Sequence, residues 1–170
     1  MALAKPHAGT YPEYYSLYLS TVQEEDLILA LQNNRKALDA LVLELIGKGD
    51  HRYAPGKWTI KEVLLHLIDT ERIFAYRALT FARADKAELP GFDENEYAKY
   101  YPNDKRTLQQ VYAEFKVVRD ATIHLFQSLN EEAVLRSGIA NGKPISVSAL
   151  GYAIAGHANH HFNVIKERYL

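Results

Sequence analysis

The sequence predicts an all-α protein, a four-helix bundle built as a single domain over residues 1–170. Three observations carry that expectation. Four stretches repeat apolar residues with helical spacing, most glycines and prolines fall between those stretches, and two of the stretches open on a Thr-x-x-Glu or Thr-x-x-Gln pair. With 48% apolar and 24% charged residues the composition is that of a globular protein, and 170 residues can bury a core without covalent staples.

The first helix is expected from about Glu24 to Ile46, where Leu27, Leu31, Leu38, Leu41 and Leu45 form an apolar stripe that Gly47-Lys48-Gly49-Asp50 ends. The second follows Pro55-Gly56-Lys57-Trp58. Thr59 and Glu62 there have the spacing of a capping box, and the helical pattern can run to about Ala84. Leu89-Pro90-Gly91-Phe92-Asp93 forces a loop. A third helix starts near Asp104 or Thr107, with Thr107 and Gln110 as a second capping box, and continues through Val111, Phe115, Val118, Ile123 and Phe126 towards Leu129.

A short helical turn is expected at Glu131 to Leu135, before the turn signal Asn141-Gly142-Lys143-Pro144. The fourth helix then runs from near Ser146 to the C-terminus. Gly151 and Gly156 lie inside it, each weakening it by roughly 1 kcal/mol relative to alanine, and a glycine there can admit a close neighbour. Short connections favour antiparallel neighbours, but the two later loops are long enough for a crossover, so the helix order stays open.

Charge and composition exclude several partners. Twenty basic and 21 acidic residues leave a formal charge of -1, without the basic field that nucleic acid or an anionic membrane requires. No run approaches the roughly 20 apolar residues of a membrane span, and Met1-Ala2-Leu3-Ala4-Lys5-Pro6 lacks the apolar core of a secretory signal, so a cytoplasmic location is expected. The absence of cysteine removes disulfides, thiolate ligands and a protein thiol nucleophile, leaving nitrogen and oxygen to hold any metal.

Three of seven histidines lie in Gly156-His157-Ala158-Asn159-His160-His161. On a helix His157 and His161 sit one turn apart on one face, a spacing that lets two imidazoles reach one ion. His157 with His160 is the other pairing that shares a face; in the preferred reading His160 is a supporting or interface group. A third ligand should come from another helix, and His66 is the candidate, flanked by Val63, Leu64, Leu65, Leu67 and Ile68. Taken alone, a histidine in such surroundings is more often a hydrogen-bonded core residue than a ligand. Three neutral imidazoles would leave room for water or substrate, as catalytic zinc sites do. His7, His51 and His124 read as surface or capping residues.

Other residues could serve the same site. Asp69 and Glu62, three and four residues from His66, could orient its imidazole or simply face solvent, and Glu62 already has a capping role. Arg77 falls nearly on the face of His66 but about 16 Å further along the axis. It could at most meet a remote anionic part of a long substrate, and the simpler reading is an exposed or stem-packed arginine near a helix end; Arg168 stands in the same relation to His157. Tyr11, Tyr14, Tyr15 and Tyr18 precede the first helix and could cover one end of the bundle or a pocket mouth. Trp58 reads as a packing anchor.

The run Arg52-Tyr53-Ala54-Pro55-Gly56-Lys57-Trp58-Thr59 through Glu62, His66, Asp69 and Arg72, joined to Gly156-His157 through His161, resembles the DinB/YfiT-like family of metal-binding four-helix bundles; Tyr14-Tyr15 and Phe74-Ala75-Tyr76-Arg77 extend the likeness. The resemblance implies a cytoplasmic, usually dimeric bundle with a divalent metal held by His66, His157 and His161. It also implies enzymatic activity on a small molecule. Relatives include bacillithiol- or mycothiol-dependent S-transferases, and many others are described only as metal-dependent hydrolases. Thiol S-transfer with a low-molecular-weight thiol is the expected reaction, metal-dependent hydrolysis the alternative, and a non-catalytic metal-binding stress-response bundle the rival. Zinc and nickel both suit imidazole.

Overall fold

The computed structural model describes residues 3–101 and 105–170. After a single 3-10 turn at Glu13–Tyr15, the chain forms α1 (Ser16–Leu19), α2 (Leu27–Glu44), α3 (Ile60–Ala82), α4 (Glu94–Ala98), α5 (Leu108–Gln127), α6 (Glu131–Leu135), β1 (Ser137–Ala140), β2 (Lys143–Ser146) and α7 (Val147–Arg168). The four long helices are the four expected. Among the described residues no helix is long and apolar enough to cross a membrane.

Helix starts follow their caps. The first long helix begins at Leu27 rather than Glu24 because the Asp26 side chain accepts from the Ile28 N–H. Both capping boxes form: Thr59 with Glu62 opens α3, and Thr107 with Gln110 opens α5. The alternative start at Asp104 lies outside the described residues. Ser146 caps α7 through the Ala149 N–H. Helix α3 stops at Ala82, two residues before Ala84 turns to φ 59.

The helical bundle carries one small element that the sequence reading does not include. Residues 137–146 form an antiparallel hairpin, with Ser137 opposite Ser146 and Ala140 opposite Lys143. Asn141 and Gly142 turn it with φ values of 53 and 69, the two positive angles a tight hairpin requires. Leu89 lies alongside, donating to the Ile139 carbonyl and accepting from the Asn141 N–H. The hairpin thereby fixes the loop after α3.

Two apolar clusters reveal the directions of the helices. Helices α2 and α7 enter the first cluster with Leu27 and Leu150 and leave through the second with Leu41 and Ile165; α3 and α5 run from Leu64 and Val111 in the second to Phe81 and Phe126 in the first. The order is up-down-down-up. Helices α2 and α3 each pack on both α5 and α7 and face each other across the diagonal, so the first long connection, 45–59, also crosses the bundle. The parallel pair α3 and α5 forces the long return through residues 83–107.

Between the clusters lies a polar layer. Arg119, fully buried, donates from Nε and Nη2 to the two Glu71 carboxylate oxygens, each at 2.9 Å, and from Nη1 to Asn34 Oδ1 and the Leu31 carbonyl. Asn34 donates to Asn159 Oδ1, and Asn159 to the Thr21 carbonyl. All four long helices and the segment before α2 are tied at one level, beside the histidines.

Candidate metal centre

His66 comes from the pocket face of α3, and His157 and His161 from successive turns of the antiparallel α7. His66 and His157 are buried and His161 half-buried. Their Nε2 atoms converge: His66 to His157 is 3.0 Å and His161 to His157 is 3.1 Å. One donor atom from each of the three lies within 4.8 Å of the others.

Hydrogen bonding alone does not satisfy this arrangement. A neutral Nε2 offers one N–H or one lone pair, so His157 can serve only one of its two neighbours. A cation takes all three lone pairs together, and tetrahedral Zn–N bonds would separate their nitrogens by about 3.3 Å. The residues therefore fit a divalent ion.

Burial keeps the imidazoles neutral and their lone pairs free. It holds His66 down to about 4 and His161 to about 3, the latter lowered further by His66 and His160. His157 is pushed well below the usual histidine range by burial first and by its three histidine neighbours second. His66 Nδ1 finds no protein acceptor among the described residues.

The centre opens into a pocket of about 340 Å³. One wall is the α3 stripe His66, Thr70, Phe74 and Arg77, positions i, i+4, i+8 and i+11 on one helical face. Opposite lie Tyr14, Tyr15 and Tyr18 from the segment before α2, with Tyr18 edge-on to both His157 and His160. Tyr11 lies elsewhere, packed on the core. Trp58, read as an anchor, packs on the His66 ring at 4.9 Å between centroids and is also pocket wall. The loop after α3 contributes Gly91 and Phe92, and the hairpin tip Asn141.

The remaining candidates have separate positions. His160 stacks edge-on against His161, with its ring towards Tyr18. Glu62 is buried at the start of α3, accepting from the Thr59 N–H and pairing with Arg52 at 3.0 Å. Asp69 accepts from Tyr101 at 3.1 Å in a different cleft, and burial raises its pKa. Neither carboxylate bonds a histidine of the centre. Arg168 is exposed, but Arg77 is 4% exposed and lines the pocket, which overturns the exposed form of its simpler reading. The long-helix stripe through Thr70 and Phe74 was available in the sequence as a spacing; the parts from the hairpin, the loop and the tyrosine segment depend on the fold.

A sequence model of the DinB superfamily matches residues 30–165. YfiT from Bacillus subtilis, described as a probable metal-dependent hydrolase with an unusual four-helix bundle topology, shares the fold at a TM-score of 0.66 and 17% identity, over 96% of this chain and 90% of its own. No curated protein matches the sequence. The matched span takes in α3 and α5 whole, nearly all of α2 and α7, and every histidine of the centre, and the chain belongs to the DinB superfamily.

Proposed function

We propose that this protein is a metal-dependent enzyme whose zinc or nickel ion is held by His66, His157 and His161, and that it transfers a low-molecular-weight thiol to a small-molecule substrate. The observation that carries the reading is the convergence of three neutral Nε2 atoms at the head of an open pocket. A divalent ion bound there supplies Lewis acidity that lowers the pKa of a thiol or a water placed beside it. The surrounding residues orient and exclude. Trp58 and Tyr18 pack against the histidines and keep bulk water from that end. Burial raises the Tyr15 and Tyr18 hydroxyls, so both line the pocket as neutral groups.

The carboxylates favour a thiol over water. Glu94 is the one acidic residue lining the pocket among the described residues, and it is exposed; Glu62 and Asp69 bond elsewhere. A thiol, with an ordinary pKa near 8.5, needs less help from a general base than water does. The description of YfiT supports hydrolysis as the second reading. A cytoplasmic homodimer belongs to the same proposal, on the family resemblance.

The test compares thiol conjugation with ester and amide hydrolysis, using protein purified without a histidine tag, in wild type and His157→Ala. Conjugation that disappears with His157 is expected. Hydrolysis alone, lost in the same variant, would shift the assignment to the second reading, and neither activity in metal-loaded protein would leave a non-catalytic bundle.

A further inference from the structure

Beyond the histidines, the pocket contains a buried cation with no carboxylate partner among the described residues. Arg77 Nη2 donates to the Pro90 carbonyl at 2.7 Å, and its guanidinium carbon lies 5.5 Å from the Phe74 ring centroid and 6.0 Å from that of Phe92. The rings and the carbonyl hold the group in place but bring no opposite charge. Nε and Nη1 make no hydrogen bond among the described residues and are not sealed from the pocket, whereas the other buried arginine, Arg119, takes both oxygens of Glu71. A buried charge ordinarily requires a counter-charge.

A second polar group without a bond stands on the same wall. Thr70 Oγ1 is buried without a hydrogen-bond partner, between His66 and Arg77 on the stripe that lines the pocket. The α3 wall thus presents, in order, the imidazole of His66, an unpartnered hydroxyl, the Phe74 ring and an unpaired guanidinium. The Cα atoms of His66 and Arg77 are about 16 Å apart along the axis. Both side chains lean towards the helix N-terminus, the longer arginine further than the histidine, so the guanidinium stands roughly 10–15 Å from the histidines.

We propose that Arg77 is the anion-docking subsite of this pocket and that the substrate carries a carboxylate roughly 10–15 Å from its reacting group, with Phe74 against its apolar middle. The inference rests on the pocket being a substrate site, as argued above. A guanidinium fork receives a planar carboxylate through two parallel bonds, and Thr70 supplies a polar contact on the way.

The probes are 4-phenylbutyrate and its uncharged amide, titrated by calorimetry and by the fluorescence of Trp58, the chain's one tryptophan, which lies against His66. Full-length, tag-free wild type, Arg77→Lys and Arg77→Met are used, each metal-loaded and chelator-treated, with metal content measured on every sample. Wild type should bind the carboxylate at least ten-fold more tightly than the amide in both metal states. Arg77→Lys should keep part of that preference, and Arg77→Met should lose it at unchanged metal content. Equal affinities in wild type overturn the subsite, and so does a preference that survives in Arg77→Met or appears only with metal. An Arg77-dependent preference in protein that binds no metal would retain the subsite and remove the metal reading; metal without the preference does the reverse. The wild-type comparison stands by itself if Arg77→Met does not fold.

Discussion

Gly156 lies directly under the Tyr18 backbone carbonyl, so close that a Cβ at position 156 would overlap the carbonyl oxygen and carbon. Thr21 Oγ1 reinforces the contact, its one proton directed to the Tyr18 carbonyl at 2.7 Å with the Gly156 carbonyl also within reach at 3.2 Å. The residue before the first α7 histidine thus sets how near the tyrosine segment comes to the metal centre.

Gly156→Ala is therefore expected to destabilise the protein, although alanine favours a helix by about 1 kcal/mol. Overlap with backbone cannot be relieved by a rotamer change, and a net loss of about 1–3 kcal/mol is expected. Urea denaturation checks the sign. An increase in stability would mean that the segment is not held against α7.

The Arg119–Glu71 pair should behave as a buried unit. Glu71→Ala leaves the guanidinium without its counter-charge and should cost about 3–5 kcal/mol. The double variant Arg119→Met, Glu71→Leu should lose much less than the two single losses combined, because no charge is left unpaired. A double-mutant cycle measures the coupling, and additive losses would show the two residues to be independent.

Acid should weaken the metal-stripped protein earlier than acid denaturation of carboxylates would. His66 and His161 have folded pKa values near 4 and 3, below the ordinary 6.5, so between those limits the unfolded chain binds more protons than the folded one. Stability then falls as pH drops from about 6.5 to about 4, by up to roughly 1.4 kcal/mol per pH unit for each histidine. His66→Asn should reduce the slope. Chemical denaturation at several pH values reads it; an unchanged slope would show that His66 does not titrate this way.

The bundle was legible because its signals are local. Thr59 with Glu62, Thr107 with Gln110 and Ser146 each mark a helix start through bonds made within one turn. His157 and His161 were legible as a pair for the same reason, and His66 as a polar residue inside an apolar run. The hairpin is not legible in the sequence because four residues per strand are too few to establish an alternating pattern. Arg119 and Arg77 were opaque for another reason: the burial of a charge depends on what other helices place around it. Glu71 and Asn34 reach Arg119 from 48 and 85 residues away, and the loop that covers Arg77 is held by hydrogen bonds between Leu89 and the hairpin.

The most direct measurement is metal stoichiometry by elemental analysis on tag-free protein, wild type against His66→Ala, His157→Ala and His161→Ala, with circular dichroism to establish folding. One zinc or nickel per chain is expected in wild type, and a loss of affinity of at least ten-fold in each folded variant. Wild type that takes up no divalent ion when it is offered, or variants that bind it as tightly as wild type, would contradict the account.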